Sequence, residues 1–281
     1  MLERNYPIVL APTGMVPTRA MTPHVPLTPA EIAKDVERCA QIGITSVHLH
    51  ARDEKGDPDW KKSIYGAIVY EVRSRVPEVL INVSTSGRNW SELELRADCL
   101  SLDGDLKPDL ASLTLSSLNF LSGPSVNSPE TVYKLAAIML NRGITPELEL
   151  FDLGMVNMVK VMVKKGMLPG ALVANLFVGN IAGAQATLGE LGIMVDRLPE
   201  HTIWSGAGIG DQRDRTHAFS LAAGGGVRVG LEDGIYLDPD RKTLATNLSL
   251  VEKVHAMAEL LDLEMLKPKE FRQLIIDRPS K

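Results

Sequence analysis

Eight short apolar segments, each rich in β-forming residues, alternate along this chain with longer segments that carry helix signals. Their starts are roughly 30 residues apart, which is the spacing of strand–helix units in a parallel sheet. The predicted strands cover residues 7–14, 46–51, 79–86, 110–115, 146–151, 172–177, 202–208 and 226–233. Such a regular alternation limits the chain to an α/β fold built on a parallel sheet.

The segments between the strands begin with recognisable helix caps. Thr28-Pro29-Ala30-Glu31 is a capping box with proline in the first turn. Ser91-Glu92-Leu93-Glu94 is predicted to be a second capping box, and Ser128-Pro129 a third helix start. Later helices are predicted at residues 156–165, 184–195, 216–223 and 248–261.

Alternating strands and helices form either a closed barrel or an open, doubly wound sheet. The open sheet would usually have a glycine-rich phosphate-binding loop after its first strand. Here the first strand runs into residues 15–29, which are rich in proline and contain no such loop. No linker or low-complexity stretch separates two halves. We therefore predict a (β/α)8 TIM barrel that occupies residues 1–281 as a single domain.

Charge, hydropathy and cysteine usage exclude several classes of function. The formal net charge is −5 and there is no lysine–arginine block, which argues against nucleic-acid binding. The sequence contains no 18-residue apolar run for a membrane and no signal-peptide pattern. Cys39 and Cys99 lack metal-ligand spacing and suit a reducing compartment. We expect a cytoplasmic protein that acts on small molecules.

The most specific chemical feature is His48-Leu49-His50 in the second predicted strand. Active sites of (β/α)8 barrels lie at the C-terminal ends of the strands. Because side chains alternate along a strand, both imidazoles point to one face, about 7 Å apart along the backbone. A hydrogen-bonded pair of core histidines is the alternative. The neighbouring Arg52 and Asp53 favour a metal site.

The eighth predicted strand offers a third metal ligand. By the same alternation Arg228 and Glu232 share a face, and Asp233 begins the following loop. An arginine beside an acid is also explained by a buried ion pair. A carboxylate that completes two histidines gives a three-ligand site with open positions, which is typical of catalytic zinc. Other divalent ions suit these ligands too, and zinc is the predicted metal.

Polar residues also end several other predicted strands. Residues 84–88 combine three hydroxyl groups with a flexible glycine and either hold a carboxylate or form an ordinary turn. Glu147 and Glu149 share one face of the fifth strand, and a carboxylate inside a barrel needs a partner or a function. Thr114 and Asn175 are further candidates for substrate contacts. None of the eight strands carries a lysine, which disfavours Schiff-base aldolase chemistry.

Five segments taken together resemble the β-keto acid cleavage enzyme family. They are HLHARD (48–53), VSTSGR (83–88), ASLTLSSLNF (111–120), PELELFDLGM (146–155) and RVGLED (228–233). The resemblance extends from Ala11 to about residue 250. It implies a zinc-bearing (β/α)8 barrel, often a homotetramer, that joins a β-keto acid to acetyl-CoA. The products would be acetoacetate and a new acyl-CoA, so the enzyme would be an acyltransferase.

The resemblance also assigns roles to individual residues. The implied metal ligands are His48, His50 and Glu232. The implied catalytic residues are Asp233, Arg228 and Ser84, and the implied substrate-binding residues are Gly87, Thr114 and Glu149. In this interpretation Asp233, oriented by Ser84 and balanced in charge by Arg228, is the candidate base for the methyl group of acetyl-CoA.

One departure from the family prototype, 3-keto-5-aminohexanoate cleavage enzyme, concerns the substrate tail. The prototype has an acidic residue just after its first strand that can meet the amino group of its substrate. The corresponding stretch here, Met15-Val16-Pro17, contains no acid. The sequence therefore predicts a β-keto acid with a neutral or apolar tail.

Three other functions stay compatible with the sequence. A metal-dependent hydrolase or lyase that acts on a keto acid without CoA would use the same ligands. A metal-dependent aldolase would release a free aldehyde or ketone. From a different class, the barrel could bind a small molecule without catalysis.

Overall fold

The computed structural model describes residues 4–276, and over this range eight parallel strands close into a barrel. The barrel strands are β1 (Ile8–Leu10), β2 (Ser46–Leu49), β3 (Leu80–Val83), β4 (Leu110–Thr114), β5 (Thr145–Leu150), β6 (Val173–Val178), β7 (Ile203–Gly208) and β8 (Gly226–Val229). Each strand pairs with the next one in the chain, and β8 pairs with β1. The predicted (β/α)8 barrel is confirmed.

Every barrel strand is followed by a helix, and a ninth helix ends the described range. The helices are α1 (Pro29–Ile42), α2 (Lys62–Arg75), α3 (Leu93–Ala97), α4 (Pro129–Asn141), α5 (Leu153–Lys164), α6 (Leu188–Asp196), α7 (Arg213–Ala222), α8 (Asn247–Glu259) and α9 (Pro268–Ile276). In the part of the chain that the structure describes, no helix is long and apolar enough to cross a membrane. The prediction of one domain over residues 1–281 extends beyond the described range and stays a prediction.

The helix caps explain where the predicted and observed helix starts agree and where they differ. The capping box at Thr28 is confirmed, because its hydroxyl accepts from the backbone N–H of Glu31 and its own N–H donates to the Glu31 carboxylate. The box predicted at Ser91 is wrong, since α3 begins at Leu93 without a side-chain cap. Helix α5 starts three residues earlier than predicted, because the carboxylate of Asp152 caps it.

The barrel interior changes from apolar to polar along the strands. At the N-terminal ends a layer of four large residues packs against Phe271 of α9 and closes that end of the barrel: Leu80, Leu110, Val173 and Ile203. Two residues further along each strand, on the same face, lie four buried polar side chains: Asn82, Ser112, Asn175 and Ser205. Polar groups therefore concentrate towards the C-terminal ends, and this is where the sequence places the site.

Candidate active site and metal centre

The three predicted metal ligands converge on one point. Nε2 of His48 and Nε2 of His50 are 3.1 Å apart, and Nε2 of His50 is 3.2 Å from Oε1 of Glu232. The distance from His48 Nε2 to the same oxygen is 4.0 Å. Two ligand atoms bound to a tetrahedral zinc ion are roughly 3.3 Å apart, since each bond is about 2.0–2.1 Å long. Oε2 of Glu232 is buried and has no hydrogen-bond partner. These residues fit a divalent metal ion.

The imidazole of His48 is oriented from behind by a buried carboxylate. Oε2 of Glu147 lies 3.6 Å from Nδ1 of His48, and the side-chain amide of Asn82 donates to that same oxygen. At this distance Nδ1 of His48 has no hydrogen bond to the carboxylate, but the nearby negative charge favours a proton on Nδ1 and leaves Nε2 free to face a metal. Glu147 thus has a polar partner, Asn82, as a carboxylate inside a barrel requires. Burial lowers the pKa of His50 to about 4 and keeps it in the neutral form that binds metals.

Arg228 is the centre of a buried cluster of acids. Its Nη2 lies 2.7 Å from Oε1 of Glu232, and its Nε donates to Oδ2 of Asp233 at 3.1 Å. Its Nη1 is buried without a hydrogen-bond partner, 4.0 Å from Oε1 of Glu149. Although burial opposes the shift, Arg228 and the two histidines hold the pKa of Glu232 well below its usual range. Burial raises the pKa of Asp233 to about 6 despite its contact with Arg228.

A turn after β8, and not strand alternation, brings Glu232 to Arg228. The strand ends at Val229, so the predicted shared face of residues 228 and 232 does not exist. Gly230 passes so close to β1 that a Cβ atom there would lie 2.0 Å from the carbonyl oxygen of Ala11. The backbone N–H of Glu232 donates to the same carbonyl at 3.2 Å. The pairing was predicted correctly, but for the wrong structural reason.

Two residues that the sequence did not assign hold the loop after β1 against Glu232. Gly14 has a φ of +65°, and a Cβ atom at this position would lie 2.5 Å from Cγ of Glu232. Nε and Nη2 of the buried Arg52 both donate to the carbonyl of Gly14, at 2.9 and 2.6 Å. Arg52 therefore positions backbone beside a predicted metal ligand. A glycine in the loop after the first strand was the available signal.

Replacing Gly14 by alanine is expected to weaken metal binding by about tenfold or more, the usual effect of disturbing the surroundings of a ligand. The added methyl group would meet Glu232, and the left-handed backbone costs a further ~1–2 kcal/mol. Metal content after dialysis against a weak chelator measures the loss. Gly189→Ala in α6, where nothing lies within 4 Å of the new methyl group, is the control that should keep its metal. Equal metal retention in both variants would contradict this role for Gly14.

The hydroxyl groups predicted at the site have different partners. Thr114 donates to Oε2 of Glu149 at 2.6 Å, and both residues border the cavity described below. Oγ of Ser84 accepts from the backbone N–H of Ser86 at 3.3 Å. Over residues 4–276 the expected hydrogen bond between Ser84 and Asp233 is absent. Ser84 borders the same cavity as Asp233, so its role towards substrate stays a prediction.

Gly87 has a packing role that differs from the predicted one. A Cβ atom there would lie 2.7 Å from Nη1 of Arg96 and 3.0 Å from the carbonyl of Val126. The buried guanidinium of Arg96 also donates to the carbonyl of Thr85 and to the side chain of Asn127. Gly87 is thus covered by Arg96, and the described residues that border the cavity do not include it.

Of the nine residues to which the resemblance assigns a role, all except His48 and Gly87 border one open cavity of about 510 Å³ at the C-terminal ends of the strands. This volume suits a small-molecule site. His50, Arg228, Glu232 and Asp233 form its charged part. The apolar wall consists mainly of Met15, Val16, Leu118, Phe120, Phe151, Phe177 and Ile181.

Comparison with known proteins shows the family to which the chain belongs. The sequence profile described as beta-keto acid cleavage enzyme matches residues 6–276. The chain belongs to the β-keto acid cleavage enzyme family. It is 32% identical over 278 residues to 3-keto-5-aminohexanoate cleavage enzyme of Fusobacterium nucleatum, with 98% of each chain covered. It is 35% identical over 256 residues to 3-oxoadipate:acetyl-CoA acetyltransferase of Cupriavidus necator, with 90% of this chain and 88% of the relative covered.

Solved structures agree on the fold of this family member. The ternary complex of ObcA with a C4-CoA adduct and oxalate superimposes with a TM-score of 0.81 at 21% identity. The match covers 92% of this chain and 68% of ObcA. The name of the Cupriavidus relative describes an acetyltransferase, and the predicted acyltransferase class is confirmed at the level of the family.

Proposed function

We propose that this protein condenses a β-keto acid with acetyl-CoA and releases acetoacetate and a new acyl-CoA. One observation carries the proposal: the donor atoms of His48, His50 and Glu232 meet beside Arg228 and Asp233, and all of these residues except His48 border a single cavity. The chain's membership of the β-keto acid cleavage enzyme family supports the same reaction. The Cupriavidus relative is named for an acetyl-CoA-dependent reaction on a β-keto acid, which adds further support.

The metal in this proposal is zinc, held by two imidazoles and one carboxylate. A bound divalent ion would act as a Lewis acid on the carbonyl and carboxylate oxygens of the β-keto acid. Three protein ligands leave positions open for these oxygens. The neutral imidazole of His50 and the strongly acidic Glu232 are already in the protonation states that metal binding needs.

The atoms of the product acetoacetate decide from which carbon the base removes a proton. Acetoacetate contains the intact acetyl group joined to the CH2–COO⁻ unit of the β-keto acid. The new bond therefore joins C2 of the β-keto acid to the thioester carbonyl carbon, and the C–S bond breaks. The released thiolate then attacks C3, and the C2–C3 bond breaks to give the new acyl-CoA. The base must act on C2, so the expectation that it acts on the acetyl-CoA methyl group is replaced here.

The residues of the charged cluster have roles that follow from their contacts. Asp233 accepts the C2 proton and returns it to acetoacetate, and its raised pKa suits both transfers near neutral pH. Nη1 of Arg228, a buried donor without a partner, is available to the oxyanions that form in each addition. Ser84 and Thr114, which border the cavity, are proposed to bind the carboxylate of the substrate.

The experiment that tests the function follows the label of [1-13C]acetyl-CoA. A β-keto acid and acetyl-CoA together should give equal amounts of acetoacetate and acyl-CoA, with the label at C3 of acetoacetate. The β-keto acid alone should not be cleaved. Release of a free carboxylic acid would indicate a hydrolase, and release of a free aldehyde or ketone an aldolase. Binding without turnover would indicate a non-catalytic barrel, and each of these results would contradict the proposal.

Three further features are proposals: a homotetramer, which the family resemblance suggests, and a cytoplasmic location and a neutral or apolar substrate tail, which the sequence suggests. Light scattering coupled to size-exclusion chromatography measures the first of them. Met15 and Val16 border the cavity and provide no carboxylate for an ammonium group, which supports the third.

A further inference from the structure

Arg88, on the loop after β3, is a cavity-lining cation without an acidic partner. Its Cζ lies 3.6 Å from the centre of the Phe120 ring, so the flat guanidinium stacks on an aromatic face. Its Nε is buried and has no hydrogen-bond partner. Among residues 4–276 no carboxylate lies within ion-pair distance of it. The side chain is thus positioned, partly desolvated and unpaired.

The other arginines that border the cavity differ in this respect. Arg228 contacts Glu232 and Asp233 directly. Arg213 pairs with Asp214 at 2.9 Å and also donates to backbone carbonyls of the loop after β8. Arg241 lies 3.6 Å from Asp211 at a more exposed position. Among the described arginines of the cavity, Arg88 alone has a charge that the protein does not neutralise by such a contact.

A continuous aromatic wall connects Arg88 to the reacting end of the cavity. Phe120 packs edge-to-face on Phe151 with ring centres 5.8 Å apart, and Phe151 stacks on Phe177 at 4.5 Å. Cζ of Arg228 lies 4.9 Å from the centre of the Phe177 ring. All three rings border the cavity. A chain of methylene groups that starts beside Arg228 would find apolar surface on the way to Arg88.

We propose that Arg88 binds a second carboxylate at the end of the substrate tail, so that β-keto dicarboxylic acids are the preferred substrates. This inference rests on the proposed function and specifies its substrate class. A guanidinium binds a carboxylate through two parallel hydrogen bonds, and these are strongest when the pair is shielded from water. A tail with an ammonium group would meet this positive charge and no compensating acid at Met15 or Val16. The proposal replaces the predicted neutral or apolar tail by an anionic one.

The test compares β-keto acids of equal chain length with acetyl-CoA as the second substrate. For the wild type, kcat/KM for 3-oxoadipate should exceed that for 3-oxohexanoate and for 3-keto-5-aminohexanoate by about tenfold or more. R88M, which keeps an unbranched side chain and removes its charge, should lower the value for 3-oxoadipate about tenfold to a hundredfold. It should change the value for 3-oxohexanoate less than about threefold. R88K should recover part of the preference for the diacid over the monoacid. Activity with the shorter diacid 3-oxoglutarate and the longer diacid 3-oxopimelate measures the chain length at which the second carboxylate reaches Arg88.

R241M is the matched control, because it removes a cavity arginine that Asp211 already neutralises. Its ratio of diacid to monoacid activity should equal that of the wild type. Three results would overturn the proposal. The wild type could turn over the diacid no better than the monoacid. R88M could affect both acids equally, which would mean that Arg88 holds the reacting carboxylate. R88M could raise only the KM for acetyl-CoA, which would assign Arg88 to a phosphate of CoA.

A separate binding measurement distinguishes failure of this inference from failure of the proposed function. If no β-keto acid is turned over with acetyl-CoA, the proposed reaction is wrong whatever Arg88 does. Calorimetric titration with adipate and with hexanoate then tests Arg88 alone. Tighter binding of adipate by the wild type, lost in R88M, supports an anion-binding Arg88. Equal binding of the two acids by the wild type rejects it.

Discussion

Replacing His48 or His50 by alanine is expected to remove the bound metal and to lower kcat/KM at least about a thousandfold. Their Nε2 atoms are 3.1 Å apart and both approach Oε1 of Glu232, so each substitution leaves an incomplete set of ligands. Lewis-acid polarisation and charge stabilisation are lost together with the ion. Elemental analysis of the purified variants measures metal per chain, and the labelled acetyl-CoA assay measures turnover.

A histidine outside the site separates the loss of metal from a general loss of stability. His255 on α8 contacts the hydroxyl of Tyr6 and the carbonyl of Gly43, and none of these three residues borders the cavity. His255→Ala should cost about 1–3 kcal/mol of unfolding free energy through the two lost hydrogen bonds. It should keep its metal and its activity. A full complement of metal in the double variant of His48 and His50 would contradict the assignment of these ligands.

Asp233→Asn and Glu232→Gln are expected to fail in different ways, although the two residues are adjacent. Both residues contact Arg228 and border the cavity, but Oε1 of Glu232 also lies against the histidine pair. Asp233→Asn should keep the metal and lower turnover by about 10²–10⁴, the usual contribution of a general base. Glu232→Gln should weaken metal retention, because a neutral amide is a poorer ligand than a carboxylate.

Deuterium exchange at C2 of the β-keto acid isolates the role of Asp233. In the absence of acetyl-CoA the wild type should exchange these protons faster than the uncatalysed background. In Asp233→Asn the exchange rate should fall to the background rate. The metal content of the variant, measured on the same sample, should equal that of the wild type. If Asp233→Asn lost the metal and Glu232→Gln kept it but lost the exchange, the roles of the two residues would have to be reversed.

Local patterns in the sequence were sufficient for the fold and for the residue types of the site. The alternation of apolar runs with capped helices predicted all eight barrel strands, because each strand and each cap depends on neighbours a few residues away. The same logic put His48 and His50 at the end of β2, since a parallel barrel brings the strand ends together. All strands except β6 and β7 end earlier than their apolar runs, at Leu49 and Val229 for example, because ladder hydrogen bonds stop before the hydropathy changes.

Contacts between residues far apart in the chain were decided only by the tertiary structure. Asn82 bonds to Glu147 across 65 residues, and Glu147 in turn orients His48. Arg52 is close in sequence to the histidine pair and favoured a metal site there, but only the structure shows that its guanidinium donates to the carbonyl of Gly14.

Arg88 shows the same limit of sequence-based prediction, but for a side chain that has no partner. Its residue type and its place at the end of a strand can be read from the sequence, but its lack of an acidic partner cannot. Whether a charge is paired depends on distances of a few ångströms between side chains from several strands. Periodicity along one chain contains no information about such distances. The sequence therefore determined which residue types lie at the strand ends of this protein, and the packing of the barrel decided which of them border the cavity and which are already paired.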